Sequence, residues 1–205
     1  MKWIALWLTV LASMIFLIQV IYPPITETFL LVSSDIAKRP WILVTSIFLH
    51  GDINHLLYNM LALATFGSIL EKVIGERKFL LVFFITGIFS SIASTALYSS
   101  VLGASGAIFG IIGTLAILRP RLIVWALGVP MPMIVAAFAW GVLDIAGLFS
   151  PSGIANLGHL GGLVAGIVFG VIWKKRYPEA KRRKSEKILK EEDVDEWEDH
   201  YMKRR

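Results

Sequence analysis

Six apolar stretches nearly free of charge constrain this chain more than any other feature. They run approximately over Trp3–Tyr22, Ile53–Leu70, Phe79–Tyr98, Ser105–Leu118, Pro132–Phe149 and Ile154–Trp173. A helix of roughly 20 mostly apolar residues spans a bilayer, and the backbone groups of such a segment are satisfied only inside a helix. The fold class expected is therefore an all-α membrane protein, a bundle of six transmembrane helices. The fourth stretch is short, which points to a helix that starts below the membrane surface. Pro23-Pro24, Gly75, Gly103, Arg119-Pro120, Pro130 with Pro132, and Pro151-Ser152-Gly153 fall at the breaks, where such residues interrupt regular structure. The first stretch follows Lys2 as a signal peptide would, but its apolar run reaches Tyr22. That is too long for a typical signal core, so a retained helix is expected.

Charge divides the chain in two. Of 20 Lys/Arg and 15 Asp/Glu, residues 174–205 hold 12 and 9, which leaves 8 and 6 for the first 173 positions. The expected organisation is a membrane domain over 1–173 and a charged cytoplasmic tail over 174–205. The net charge of +5 then reflects helix ends and tail, as membrane orientation requires, and nucleic acid is not an expected partner. With a cytoplasmic N-terminus the inner segments hold Lys2, Lys72, Arg77, Lys78, Arg119, Arg121 and the tail, while the outer loops hold only Lys38 and Arg39. The expected location is the cell (plasma) membrane, with both ends on its cytoplasmic side. Within the tail, Lys174 to Lys190 carries nine basic and two acidic residues, and Glu191 to Asp199 seven acidic and none basic. The first part is suited to anionic lipid headgroups; a solvated, partly helical tail is the plainer alternative. His200 there is read as solvated.

Polar groups inside a bilayer are costly and mark function. Here they are His50, His55, Asn59, Asp144 and His159, with Ser105 at a glycine-flanked helix start. By topology, His55, Asn59, Ser105 and His159 lie within roughly 10 Å of one another along the membrane normal, at 1.5 Å of rise per residue. Gly158, Gly162, Gly166 and Gly170 recur every fourth residue in the sixth stretch, and Gly106, Gly110 and Gly113 line the fourth. Small residues so spaced let helices approach closely. Packing alone would explain the glycines, but His159 shares the face of Gly162 and Gly166.

Ser105 begins its helix in Gly103-Ala104-Ser105-Gly106, where free N–H groups favour developing negative charge. A serine becomes a nucleophile when a base takes its proton and donors hold the oxyanion. His159 is the candidate base. His55 and Asn59, four residues apart on one face, are candidate oxyanion donors. The absence of cysteine excludes thiolate chemistry and disulfides. No metal or other cofactor is expected: no Glu neighbours these histidines as a zinc protease requires, and His50, Asp52 and His55 form no enclosed ligand set. Asp52 reads as the N-cap of the second span.

These residues resemble a known family. Trp-x3-Thr-Ser-x-Phe-x-His-x4-His-x3-Asn over 41–59, Gly-Ala-Ser-Gly-Ala-Ile-Phe-Gly over 103–110 and Gly-His-Leu-Gly-Gly-x3-Gly over 158–166 look like the rhomboid intramembrane serine proteases. The resemblance covers about residues 40–173. It implies a six-helix core with Ser105 as nucleophile and His159 as base, a dyad without a carboxylate. It implies an oxyanion hole from His55, Asn59 and the Ser105 N–H, an aromatic ring at Phe109 against His159, and a supporting place for His50. Gly103, Gly106 and Gly162 support the site by leaving room for backbone. Single-span transmembrane proteins are the implied substrates, entering laterally past a flexible fifth span and unwinding near a small residue. One departure is Ile42, where the family often has Arg. Asp144 has no role in the family, and a structural hydrogen bond within the fifth span or to the loops is expected for it. Two rival functions are an inactive rhomboid-like protein that binds membrane clients, whose mark would be loss of the Ser or His, and a small transporter or channel, which would need charge through the full membrane depth.

Overall fold

The computed structural model describes residues 3–150 and 153–179. The chain is mostly helical. Its principal helices are α1 (Ile4–Ile21), α2 (Ile53–Ile74), α3 (Glu76–Ser94), α4 (Ser105–Leu118), α5 (Met133–Gly147) and α6 (Asn156–Trp173). Four of them, α1, α2, α3 and α6, are long and apolar enough to cross a membrane. The other two are apolar but shorter, so by length these helices do not by themselves make six spans. The tail reading from residue 180 onward, including His200, lies outside the described residues.

The expected helix boundaries hold to within a few residues, and the ends have identifiable causes. Asp52 caps α2 by accepting the His55 backbone N–H at 2.9 Å, which satisfies an otherwise orphaned donor. The start of α1 is capped from a distance, since the Glu71 carboxylate of α2 accepts the N–H groups of Ile4 (3.0 Å) and Ala5 (2.9 Å). A negative charge there also meets the positive end of the helix. Within α2 the segment Leu63–Gly67 widens into a π-helix, so residues on either side face different neighbours.

Two features in the loops differ from the sequence reading. The first long loop is not open chain: it contains short helices at Pro24–Phe29 and Ile42–Thr45 and a strand, β1 (Leu31–Val32), antiparallel to β2 (Ser100–Val101). Between α4 and α5, β3 (Ile123–Ala126) and β4 (Val129–Pro132) form a hairpin. Its turn places Leu127 at φ 52° and Gly128 at φ 81°, as a two-residue hairpin turn requires. Pro130 and Pro132 had marked only a break; both sit on a strand of this two-stranded ribbon, where every strand is an edge and proline is tolerated.

The core is organised around α4, most of whose residues are buried. Its neighbour α6 approaches to backbone distance, and α3 lays the Ser90 and Thr86 side chains on Gly106 and Gly110. A Cβ added at Gly162 would lie 2.0 Å from the Gly106 carbonyl oxygen, and one at Gly166 would lie 1.9 Å from that of Gly110. No side chain fits there. Thr114 adds a hydrogen bond from Oγ1 to the Gly166 carbonyl at 2.9 Å. The glycine faces of the sequence are thus the contact of α4 with α6. Outward positions of α1, α5 and α6, such as Trp7, Phe138 and Ile172, are large, apolar and exposed, a surface suited to lipid rather than water.

Basic residues gather at one end of the bundle. Lys78 donates to the Tyr177 hydroxyl and lies 4.8 Å from its ring centroid, and Arg119 donates to the Tyr177 carbonyl at 2.9 Å. The ammonium beside it holds the Tyr177 hydroxyl below its ordinary range.

Candidate active site

The site lies at the opposite ends of α4 and α6 from that basic cluster and draws on four helices. Ser105 opens α4, and His159 lies one turn into α6. Their side chains meet, with His159 Nε2 2.8 Å from Ser105 Oγ. This contact follows from the glycine packing, because Gly106 against Gly162 brings the first turns of the two helices together.

The other side of the imidazole holds a surprise. His159 Nδ1 lies 2.9 Å from Asp144 Oδ1 of α5. The expected local hydrogen bond of Asp144, within its own span or to the loops, is therefore corrected: its partner is the histidine of the next helix. α5 and α6 run side by side, and the spacing of 15 residues from Asp144 to His159 spans the turn between them. When the Asp144 carboxylate accepts at Nδ1, the ring proton lies there and Nε2 is free to accept from the serine. Phe109, one turn after Ser105, stacks on the His159 ring with centroids 4.4 Å apart and planes inclined by 8°. The aromatic contact expected at that position is present.

His55 and Asn59 come from α2. Asn59 is buried, and its Nδ2 donates to the His55 carbonyl at 2.8 Å; the amide's second N–H is left for other acceptors. His55 Nδ1 takes a long contact of 3.5 Å from the Gly51 N–H, and Nε2 is the ring nitrogen nearer Gly103. Gly103 explains itself here. It has φ 120°, and an added Cβ would come within 2.8 Å of His55 Nε2. Its backbone conformation and the flat approach of the imidazole both demand glycine.

Ser105, His159, His55, Asn59 and Phe109 all line one cavity of about 870 Å³, closed on other sides by Phe66, Tyr98 and Trp140. That volume is in the range of sites that take a sizeable ligand. His50 stays outside it. This side chain is buried beneath His55, with ring centroids 5.2 Å apart. Burial, with the nearby His55 adding to it, pushes His50 down to about 4, so the ring is neutral at pH 7. Among the described residues no cluster of three or more His, Cys, Asp or Glu is placed to hold a metal.

Two polar residues that hold the first loop have roles that no local sequence pattern declares. Gln19 of α1 is buried, accepts the His50 N–H at 3.0 Å and donates to the His50 carbonyl at 3.2 Å. It clamps the chain just before α2. The only signal was an amide in an otherwise apolar span. Arg39 is the second, donating to the Thr28 carbonyl at 3.0 Å and pairing with Asp35 at 2.6 Å. Ile42, which departs from the common family residue, is fully buried, and the cation that ties the loop together is Arg39.

Comparison with known proteins bears on this geometry. The sequence pattern of the rhomboid domain matches residues 37–176, which is most of the described bundle. The chain belongs to the rhomboid family. Among relatives of this rhomboid, the rhomboid protease GluP of Bacillus subtilis is 38% identical over 131 residues, covering 62% of this chain and 24% of its own length. The putative rhomboid protease YdcA of the same organism is 34% identical over 139 residues, covering 64% of this chain and 66% of its own. Rhomboid protein 1, mitochondrial, of Saccharomyces cerevisiae is 28% identical over 171 residues, covering 77% of this chain and 49% of its own. The rhomboid chain thus spans between a quarter and just under two thirds of the length of these relatives.

Proposed function

We propose that this rhomboid is an intramembrane serine endopeptidase that cuts transmembrane helices of single-span membrane proteins. The observation that carries the reading is the 2.8 Å contact of His159 Nε2 with Ser105 Oγ, on the wall of a cavity large enough for unwound peptide. Membership of a family with protease-named relatives supports the same chemistry.

In this mechanism a substrate segment unwinds into the cavity, because an intact helix keeps its carbonyls in hydrogen bonds. His159 Nε2 takes the Ser105 proton as Oγ attacks the carbonyl carbon. His55 Nε2–H, the free N–H of Asn59 and the Ser105 backbone N–H receive the oxyanion. His159 then gives the proton to the departing amine, and water enters to release the acyl fragment. Gly103 lets His55 lie against the loop before Ser105, Gly106 and Gly162 bring α4 and α6 close enough for His159 to reach the serine, and Phe109 holds the base in plane.

The setting is part of the proposal. The membrane domain covers 1–173 with six spans, α4 and α5 being short ones packed in the bundle, and residues 174–205 form the cytoplasmic tail. Both ends face the cytoplasm of a plasma membrane, by the bias of Lys/Arg toward one side. The basic stretch Lys174–Lys190 carries charge that anionic headgroups would attract. No metal or cofactor takes part.

The test is cleavage of labelled transmembrane peptides by purified wild type and Ser105→Ala, with product termini mapped. Cleavage is expected from the wild type alone, along with fluorophosphonate labelling that needs both Ser105 and His159. Equal cleavage by Ser105→Ala would reject the mechanism. A wild type that binds the peptides without cutting them or taking the probe would instead favour a client-binding rhomboid.

A further inference from the structure

We propose that Asp144 is the positioning residue of a Ser105–His159–Asp144 triad, so that this rhomboid works with a carboxylate behind its base. The inference rests on the Ser105–His159 hydrolase reading.

Geometry is the first support. Asp144 Oδ1, His159 Nδ1, His159 Nε2 and Ser105 Oγ form one line of hydrogen bonds, 2.9 Å at the acid and 2.8 Å at the serine. Three helices, α5, α6 and α4, each deliver one member.

Environment is the second. Asp144 is 6% exposed and is the one acidic residue between Glu76 and Glu179. Its helical neighbours Val142, Leu143 and Ile145 are exposed apolar residues. A carboxylate so placed is costly, and a merely structural one would use both oxygens. Oδ2 instead has no hydrogen-bond partner. The whole bonding capacity spent by this carboxylate goes to the imidazole.

The third support is what the other contacts leave undone. Stacking on Phe109 fixes the plane of the imidazole, but it is indifferent to a half-turn of the ring and to which nitrogen holds the proton. Only an acceptor at Nδ1 settles both. With Asp144 there, the proton sits on Nδ1 and the lone pair of Nε2 faces Ser105. During attack the serine proton moves to Nε2 and later to the leaving amine, while the Nδ1 proton stays on His159, hydrogen-bonded to Asp144.

Kinetics of the full chain in detergent or proteoliposomes test this. Asp144→Asn is expected to lower kcat on the order of 10²- to 10⁴-fold, to slow fluorophosphonate labelling in parallel, and to leave KM and the melting temperature near wild type. Asp144→Ala should behave alike and regain part of its kcat in added formate, which a structural role would not produce. Asp144→Asn with kcat within about threefold of wild type, where Ser105→Ala is inactive, overturns the triad and leaves the hydrolase reading standing. Activity in Ser105→Ala defeats that reading itself. Should the neutral variants fail to fold, Asp144→Glu decides: a folded Glu variant that cleaves and takes the probe supports the triad, and a folded one as inactive as Ser105→Ala overturns it.

Discussion

Ser105 and His159 were legible in the sequence because each is a polar exception in apolar surroundings, and the depth argument alone brings them to one layer. Asp144 was equally conspicuous, yet its partner was not. Which face of α5 turns toward α6 depends on the packing of a helix that carries no glycine stripe to declare it, unlike α4 and α6. Asn59 tests the residue scale most directly. Asn59 lines the cavity, so on the proposed oxyanion role Asn59→Ala should reduce kcat by roughly 10- to 1000-fold, with little change in the melting temperature. A loss confined to KM would place Asn59 in substrate binding instead. His50 makes a pH prediction. Its folded value, about 4, is depressed below the ordinary 6.5 of the unfolded chain. The stability it allows is therefore full above about pH 6.5 and declines as pH falls toward about 4, where the unfolded chain takes up the proton first. The melting temperature should drop over that window, and His50→Gln should flatten the drop. An identical slope in the variant would show that other groups govern it.

At the scale of elements, the sequence told most where spacing was regular. Glycine every fourth residue announced the α4–α6 contact, and the helix limits followed from caps and breakers. The β3–β4 hairpin was hidden because its strands are only four residues long, and two prolines disguise one of them. Glu71 was hidden for another reason: it caps a helix 66 residues away in sequence, and no local pattern announces that. The close contact yields a prediction of its own. At Gly166 a methyl group would meet the backbone oxygen of Gly110 at 1.9 Å, whereas at Gly141 it would meet only the end of the Leu163 side chain, at 3.3 Å. A backbone cannot step aside as a side chain does. Gly166→Ala should cost about 1–3 kcal/mol or more of stability, seen as a lower melting temperature, and Gly141→Ala markedly less. Equal effects would mean that α4 and α6 separate as easily as a leucine rotates.

For the whole molecule, the arrangement in the membrane joins the fold to the chemistry. The basic cluster of Lys78, Arg119 and the segment after α6 gathers at one end of the bundle, and the Ser105 cavity opens toward the other. If positive charge marks the cytoplasmic side, the serine faces outward and draws its water from there. The absence of cysteine makes the test clean, since a single introduced thiol reports one position against no background. Ser34, Ser99 and Ser150 are exposed in loops on the cavity side, and Arg77 and Arg121 are exposed at the basic end. Cysteine at each of the first three should react in intact cells with a maleimide that cannot cross membranes. Cysteine at either arginine position should react only once the membrane is opened. Six crossings require this alternation: α4 must pass from Ser99 on one side to Arg121 on the other, although it is only 14 residues long, and α5 must return from there to Ser150. Labelling of Ser99 and Arg121 positions from the same side would mean that α4 is buried in the protein without crossing the bilayer, and the outward-facing serine would lose its basis.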